Sequence, residues 1–149
     1  MNQKLSEITI KTSGSGFVDI TSLINEWIVN SDISQGILVI TCKHTSCSLI
    51  INENADNRVL EDLSSYMAAL VPEVEFHSLS RDRAGFKYKH ADEGIDDMPA
   101  HIHTTLTCSS LSLSISSGKL LLGVWQAIYL WEHRYRSNLR QISLHAMGS

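Results

Sequence analysis

Polar and apolar positions alternate loosely along residues 5–11, which is the period of a β-strand. The Ser13-Gly14-Ser15-Gly16 run is a turn signal, and residues 17–20 read as the returning strand of a hairpin. Thr21 stands where a helix cap is expected. Leu23, Ile24, Trp27 and Ile28 then recur at i, i+1, i+4 and i+5, one face of a short helix that residues 31–36 end. Residues 37–42 form a continuous apolar run rich in β-branched side chains, the pattern of a buried central strand. A second short strand is expected over 49–51. After it, Val59, Leu60, Leu63, Met67 and Leu70 make the apolar stripe of a helix, with Glu53 and Asp56 near its positive end and Pro72 closing it.

Residues 73–97 show no clear period and carry Arg81, Asp82, Arg83, His90, Asp92, Asp96 and Asp97. So long a segment without periodicity is usually functional or mobile. Asp96 or Asp97 is placed to cap a third helix, with Pro99 in its first turn and Ile102 and Leu106 directed inward. Alternation returns at Leu111, Leu113 and Ile115. Ser116-Ser117-Gly118 is a turn, and residues 120–122 and 125–130 continue what reads as an antiparallel meander, with 142–144 as a last strand. Strands and helices mix without βαβ alternation, so the fold class is α+β, in one domain spanning 1–149.

Composition narrows the function classes. A chain of 149 residues buries roughly 70% of its unfolded surface, enough for a core without staples. It is 43% apolar and 19% charged, with a net charge of −4 and no dense basic block, which argues against nucleic acid as a partner. No apolar run is long enough to span a membrane, and the first residues lack a signal-peptide core. Three cysteines without C-x-x-C spacing argue against a disulfide framework and fit a reducing cytoplasm.

Four constellations could carry chemistry. His44-Thr45-Ser46-Cys47 follows the buried strand and offers imidazole, hydroxyl and thiol groups, or an ordinary turn. Asn52-Glu53-Asn54-Ala55-Asp56 opens a helix, where such groups either cap free N–H donors or line an ion site. His90 precedes Asp96-Asp97-Met98-Pro99-Ala100-His101-Ile102-His103. His101 and His103 lie about 200° apart on a helix and cannot both face one ion, but one of them with His90 and His44 could build a zinc-type site from separate segments. Last, Gly118 to Gln126 runs into a strand ended by Glu132-His133-Arg134. No phosphate-binding glycine loop, G-x-S-x-G elbow or C-x-x-C pair is present.

Taken in order, His44-Thr45-Ser46-Cys47, Ile51-Asn52-Glu53-Asn54-Ala55-Asp56, Ala100-His101-Ile102 and the run Leu122-Gly123-Val124-Trp125-Gln126-Ala127-Ile128-Tyr129-Leu130 resemble the YjbQ family, also called secondary thiamine-phosphate synthase enzymes. The resemblance covers residues 8–143. It implies an α+β fold assembled as a homotrimer, a polar site rich in His and carboxylates, and a weak ability to join thiazole phosphate to pyrimidine pyrophosphate. The positions that match the family motifs are His44, Asn52, Asp56, His90, His101, Gln126 and Glu132. Val124 stands where the family usually has Thr, the family's Gly near Cys108 is missing, and His103 has no counterpart.

The expected site therefore has His44, His90 and His101 converging on one divalent ion. Each has hydroxyl or carboxylate neighbours of the kind that orient a ligating imidazole. Asp56 and Glu132 are expected at its rim, and with Asn52 and Gln126 they are the candidate catalytic residues acting on a small, phosphorylated substrate. The imidazoles suit Zn²⁺, whereas Asp56 and Glu132 suit Mg²⁺. A non-catalytic oligomeric binding module and a metal-assisted hydrolase use the same residues. Trp131, apolar among polar neighbours, is an expected subunit contact.

Overall fold

The computed structural model describes residues 1–76 and 85–149, the side chain of Phe86 excepted; Arg81, Asp82 and Arg83 lie outside the described residues. The chain runs β1 (Asn2–Lys11), β2 (Gly16–Asp19), α1 (Thr21–Val29), β3 (Gly36–Cys42), β4 (Cys47–Glu53), α2 (Asn57–Leu70), β5 (Glu75–Phe76), β6 (Phe86–Lys87), α3 (Asp97–Leu106), β7 (Ser110–Ser116), β8 (Lys119–Leu120), β9 (Gln126–Glu132) and β10 (Leu139–Gly148). This is an α+β fold.

Two antiparallel sheets share one core. The larger has the order β1-β10-β3-β7-β8 and the smaller β2-β9-β4. β10 is the spine of the larger sheet, paired along ten residues with β1 from Asn2↔Gly148 to Lys11↔Leu139, and on its other side with β3. Its alternate residues Ile142, Leu144 and Ala146 point inward, as the two-residue period of a strand requires. There they meet Leu38 and Ile40 of β3, Leu49 of β4, Ile128 and Leu130 of β9, and Ile24 and Ile28 of α1. β9 is buried on both faces. Ile128 and Leu130 enter that core, while Trp131 lines a space beneath α2 and α3. This explains why its sequence is a nearly unbroken apolar run.

Several expectations change. β2 does not return along β1 as a hairpin; it crosses to the other sheet and pairs with β9, because β10 already occupies the inner edge of β1. Gly14 sits at a positive φ of 122° in that crossing, where a Cβ would lie 2.6 Å from the Tyr135 carbonyl oxygen. Thr21 does not cap α1: its hydroxyl accepts from the Ile128 N–H, and the Thr21 N–H donates to the Asp19 carboxylate. β3 is central but buried on one face, with Ile37 51% exposed. The meander is real only as the β7–β8 hairpin, whose two-residue turn has positive φ at both Ser117 and Gly118, the type that matches strand twist. After it the chain passes to the smaller sheet. Leu106 is exposed rather than inward, and neither Asp96 nor Asp97 caps α3 through its side chain, because both are spent on Arg134. Trp131, expected to be exposed at a strand end, is instead buried under the helices within the chain. Among the described residues no helix is long and apolar enough to cross a membrane.

Candidate metal centre

α3 begins at Asp97 and places His101 one turn later, so the two side chains share a face. His90 reaches the same carboxylate from the preceding segment. Its Nε2 lies 3.4 Å from Asp97 Oδ2, and the Nε2 of His101 lies 3.5 Å from Oδ1. All three ligand atoms fall within 4.8 Å of one another. Bonds of about 2.1 Å at tetrahedral angles would set ligand atoms roughly 3.4 Å apart, so the donor set fits one divalent ion.

Each member is held from outside. The Nδ1 of His101 donates to the Thr45 carbonyl at 2.8 Å, which fixes the tautomer and leaves the Nε2 lone pair facing Asp97. Asp97 is almost fully buried. Its Oδ1 accepts from Arg134 Nη1 at 2.7 Å and its Oδ2 from the Glu93 N–H at 3.3 Å. Burial pushes its carboxyl up, but the Glu93 N–H, His90, Arg134 and His101 together hold it below the usual range. Arg134 is itself buried and also grips Asp96 and Glu93. The site is therefore rigid on its carboxylate side. It is open on the other side, where the His90 side chain is 56% exposed. Two imidazoles and one carboxylate on one face, with an open side, are the arrangement of a working metal centre more than of a closed structural one.

The other expected residues are elsewhere. His44 accepts the Gln141 N–H on Nε2 at 2.7 Å and stands outside the group of three within the chain. Burial, then the Arg140 charge, lowers its basicity. The His44 segment touches the centre through the backbone of Thr45 instead. Asp56 is the N-cap of α2, accepting from the Arg58 N–H and its guanidinium, which holds its carboxyl low. Asn52 bonds the Glu53 N–H, and Gln126 closes its own loop by accepting from the Gly123 N–H.

Glu132 is not at a rim but wholly buried. Its two oxygens accept from Arg140, Thr12, Asn138 and the Arg134 N–H. Burial raises its carboxyl, and these donors outweigh burial and lower it. Cys47 is buried with its sulfur 3.2 Å from that of Cys42, and this contact, then burial, pushes its thiol far up, away from nucleophilic character.

Sequence reasoning did not place Asp97 beside the imidazoles, although Asp97 and His101 have the i, i+4 spacing that puts two groups on one helix face. It missed Arg134 and Arg140 because nothing local marks a buried arginine.

A family model described as "UPF0047 protein YjbQ-like" matches residues 6–149. The chain is 41% identical to the UPF0047 protein sll1880 of Synechocystis over 95% of its length and 89% of that protein's. It is 37% identical to the UPF0047 protein YjbQ of Salmonella typhimurium, over 91% of each. Among solved structures, a YjbQ/UPF0047 family protein of Clostridium acetobutylicum, described as uncharacterized, superposes with a TM-score of 0.81 at 34% identity, over 95% of this chain and 99% of that one. A Sulfolobus solfataricus protein described as of unknown function shares the fold, with a TM-score of 0.79 at 23% identity over 99% of this chain and 100% of that one.

Proposed function

This chain belongs to the UPF0047 family of YjbQ-like proteins, and we propose that it is a metal-assisted transferase acting on a small phosphorylated substrate, with weak thiamine-phosphate synthase activity. The observation that carries the proposal is the open face formed by His90, Asp97 and His101. Two imidazoles and a carboxylate suit Zn²⁺ or a related transition ion better than Mg²⁺. Bound there, such an ion supplies positive charge for a departing pyrophosphate. In the transfer, the thiazole nitrogen bonds to the methylene carbon of the pyrimidine. The bond from that carbon to the pyrophosphate oxygen breaks, and pyrophosphate leaves with the electron pair.

The protein's part is positioning. Arg134 and the Glu93 N–H hold Asp97, and the Thr45 carbonyl aims His101. Arg136, exposed and ion-paired with Glu93 at 3.1 Å, is a cation offered to a substrate phosphate. Glu132 acts at one remove, by fixing the Arg134 backbone. The homotrimer is part of the same proposal. Leu121, Val124 and Trp125 are 65, 82 and 64% exposed in one loop, and the Asn54 N–H donates to the Trp125 carbonyl, so an assembly covering this loop carries Asn52, Asp56 and Gln126 to its seam.

The test is metal content and thiamine-phosphate formation on purified protein beside His90→Ala and His101→Ala. One ion per chain in wild type, with turnover lost in both folded variants, supports the reading. Bound ion without turnover leaves a binding module. A monomer in sedimentation rejects the trimer.

A further inference from the structure

α3 has a second functional face. His103, two residues beyond His101, lines a cavity of about 210 Å³ between α2, α3 and the end of β9. A cavity of about 150 Å³ already holds a benzene ring, so the space is that of one substituted ring. Met67, Val71, Pro99 and Trp131 give it apolar walls.

Two imidazoles, with ring centres 5.0 Å apart, give it polarity. His133 is 5% exposed. Its Nε2 lies 2.8 Å from the hydroxyl of Ser48, a buried group that among the described residues has only this ring to donate to. Nε2 therefore accepts, and Nδ1 carries the proton. Among the described residues every enclosed side-chain polar atom has a partner and no group accepts from this Nδ1, so its N–H is open to the cavity that His133 lines. His103 is the complement. Its Nε2 lies 3.4 Å from the Met67 carbonyl, which can only accept, so Nε2 is the protonated nitrogen and Nδ1 keeps a lone pair.

His133 is uncharged at neutral pH, because burial, then His103 and Arg140, pushes it down to about 3. No Lys or Arg lines the cavity, whereas Glu73 and Asp96 do, so an anion finds no counter-charge there.

We infer that this cavity binds a small uncharged ring presenting a hydrogen-bond acceptor beside a donor, the cyclic-amide class of nitrogen heterocycle. The ligand carbonyl takes the proton of His133 Nδ1, and the ligand N–H donates to His103 Nδ1. The site is separate from the metal centre, since α3 stands between them, and it does not rest on the metal proposal.

The probe is 2-pyridone, titrated into the full chain with ¹⁵N-labelled histidine and followed by NMR. His103 and His133 signals shift to saturation, and His90 and His101 signals do not. 1-Methyl-2-pyridone, which lacks the N–H, binds about tenfold more weakly, the loss of one hydrogen bond. Ala68→Phe and Ser64→Phe, two substitutions at exposed lining positions, each abolish saturation, whereas His101→Ala keeps it. Shifts that never saturate, equal binding of the methylated ring, or binding unchanged in whichever Phe variant folds would overturn the assignment.

Discussion

Two buried carboxylates, Glu132 and Asp97, each lean on an arginine, yet only one of them makes a site. Every acceptor position of Glu132 is used, by Arg140, Thr12, Asn138 and the Arg134 N–H. Asp97 spends one bond on Arg134 and one on a backbone N–H, and turns what is left toward two imidazoles at the surface. A buried carboxylate whose acceptors are exhausted is architecture. One that is fixed but not exhausted can take a further ligand. The two are joined, because Glu132 holds the backbone of the arginine that holds Asp97.

That contrast is broken hardest at Glu132. Glu132→Ala leaves Arg140 buried without its partner and should cost roughly 3–5 kcal/mol in urea unfolding. A cost near zero would mean that the pair is not the anchor its geometry indicates.

Next comes acid sensitivity. The folded pKa of His133 is depressed from 6.5 to about 3, so the unfolded chain takes up this proton first. Stability from the neutral ring is complete above pH 6.5 and is lost as pH falls toward 3. Asp97 and Glu132, also depressed, add losses only below the ordinary carboxylate range, since their protection is present above the unfolded pKa. Stability measured against pH should thus decline in two stages, and His133→Gln should shrink the first, leaving the part that His44 and His103, also lowered by burial, contribute.

Arg134→Lys is a milder cut. It keeps the charge but loses the fork that spans Asp96 and Asp97. Metal affinity should drop about 10–100-fold with the fold retained, measured by competition with a chromophoric chelator.

Much of this was legible before any coordinates. The alternation of β7, the apolar run of β3 and the stripe of α2 follow from local pattern, whereas β10, expected only over 142–144, extends over Leu139–Gly148. The pairing of β2 with β9 was not legible, because register between distant strands is decided by which edges remain free after β1 and β10 pair. At the site, His90 and His101 were visible as imidazoles among carboxylates, and the structure brings them together. Asp97 was read as a cap because a carboxylate at a helix start is ordinarily one. Its real partner, Arg134, is 37 residues away, and no local pattern reports that contact. Asp56 had the same local appearance and is the cap.

The proposed metal centre requires Asp97 and the two imidazoles to hold a divalent ion. Calorimetric titration of metal-stripped protein with Zn²⁺ tests it most directly, in wild type, His90→Ala and His101→Ala. One ion per chain is expected in wild type, with affinity sharply reduced in each variant and thermal unfolding without metal little changed, since both rings lie near the surface. Zn²⁺ bound equally well by all three proteins, or by none, would contradict it.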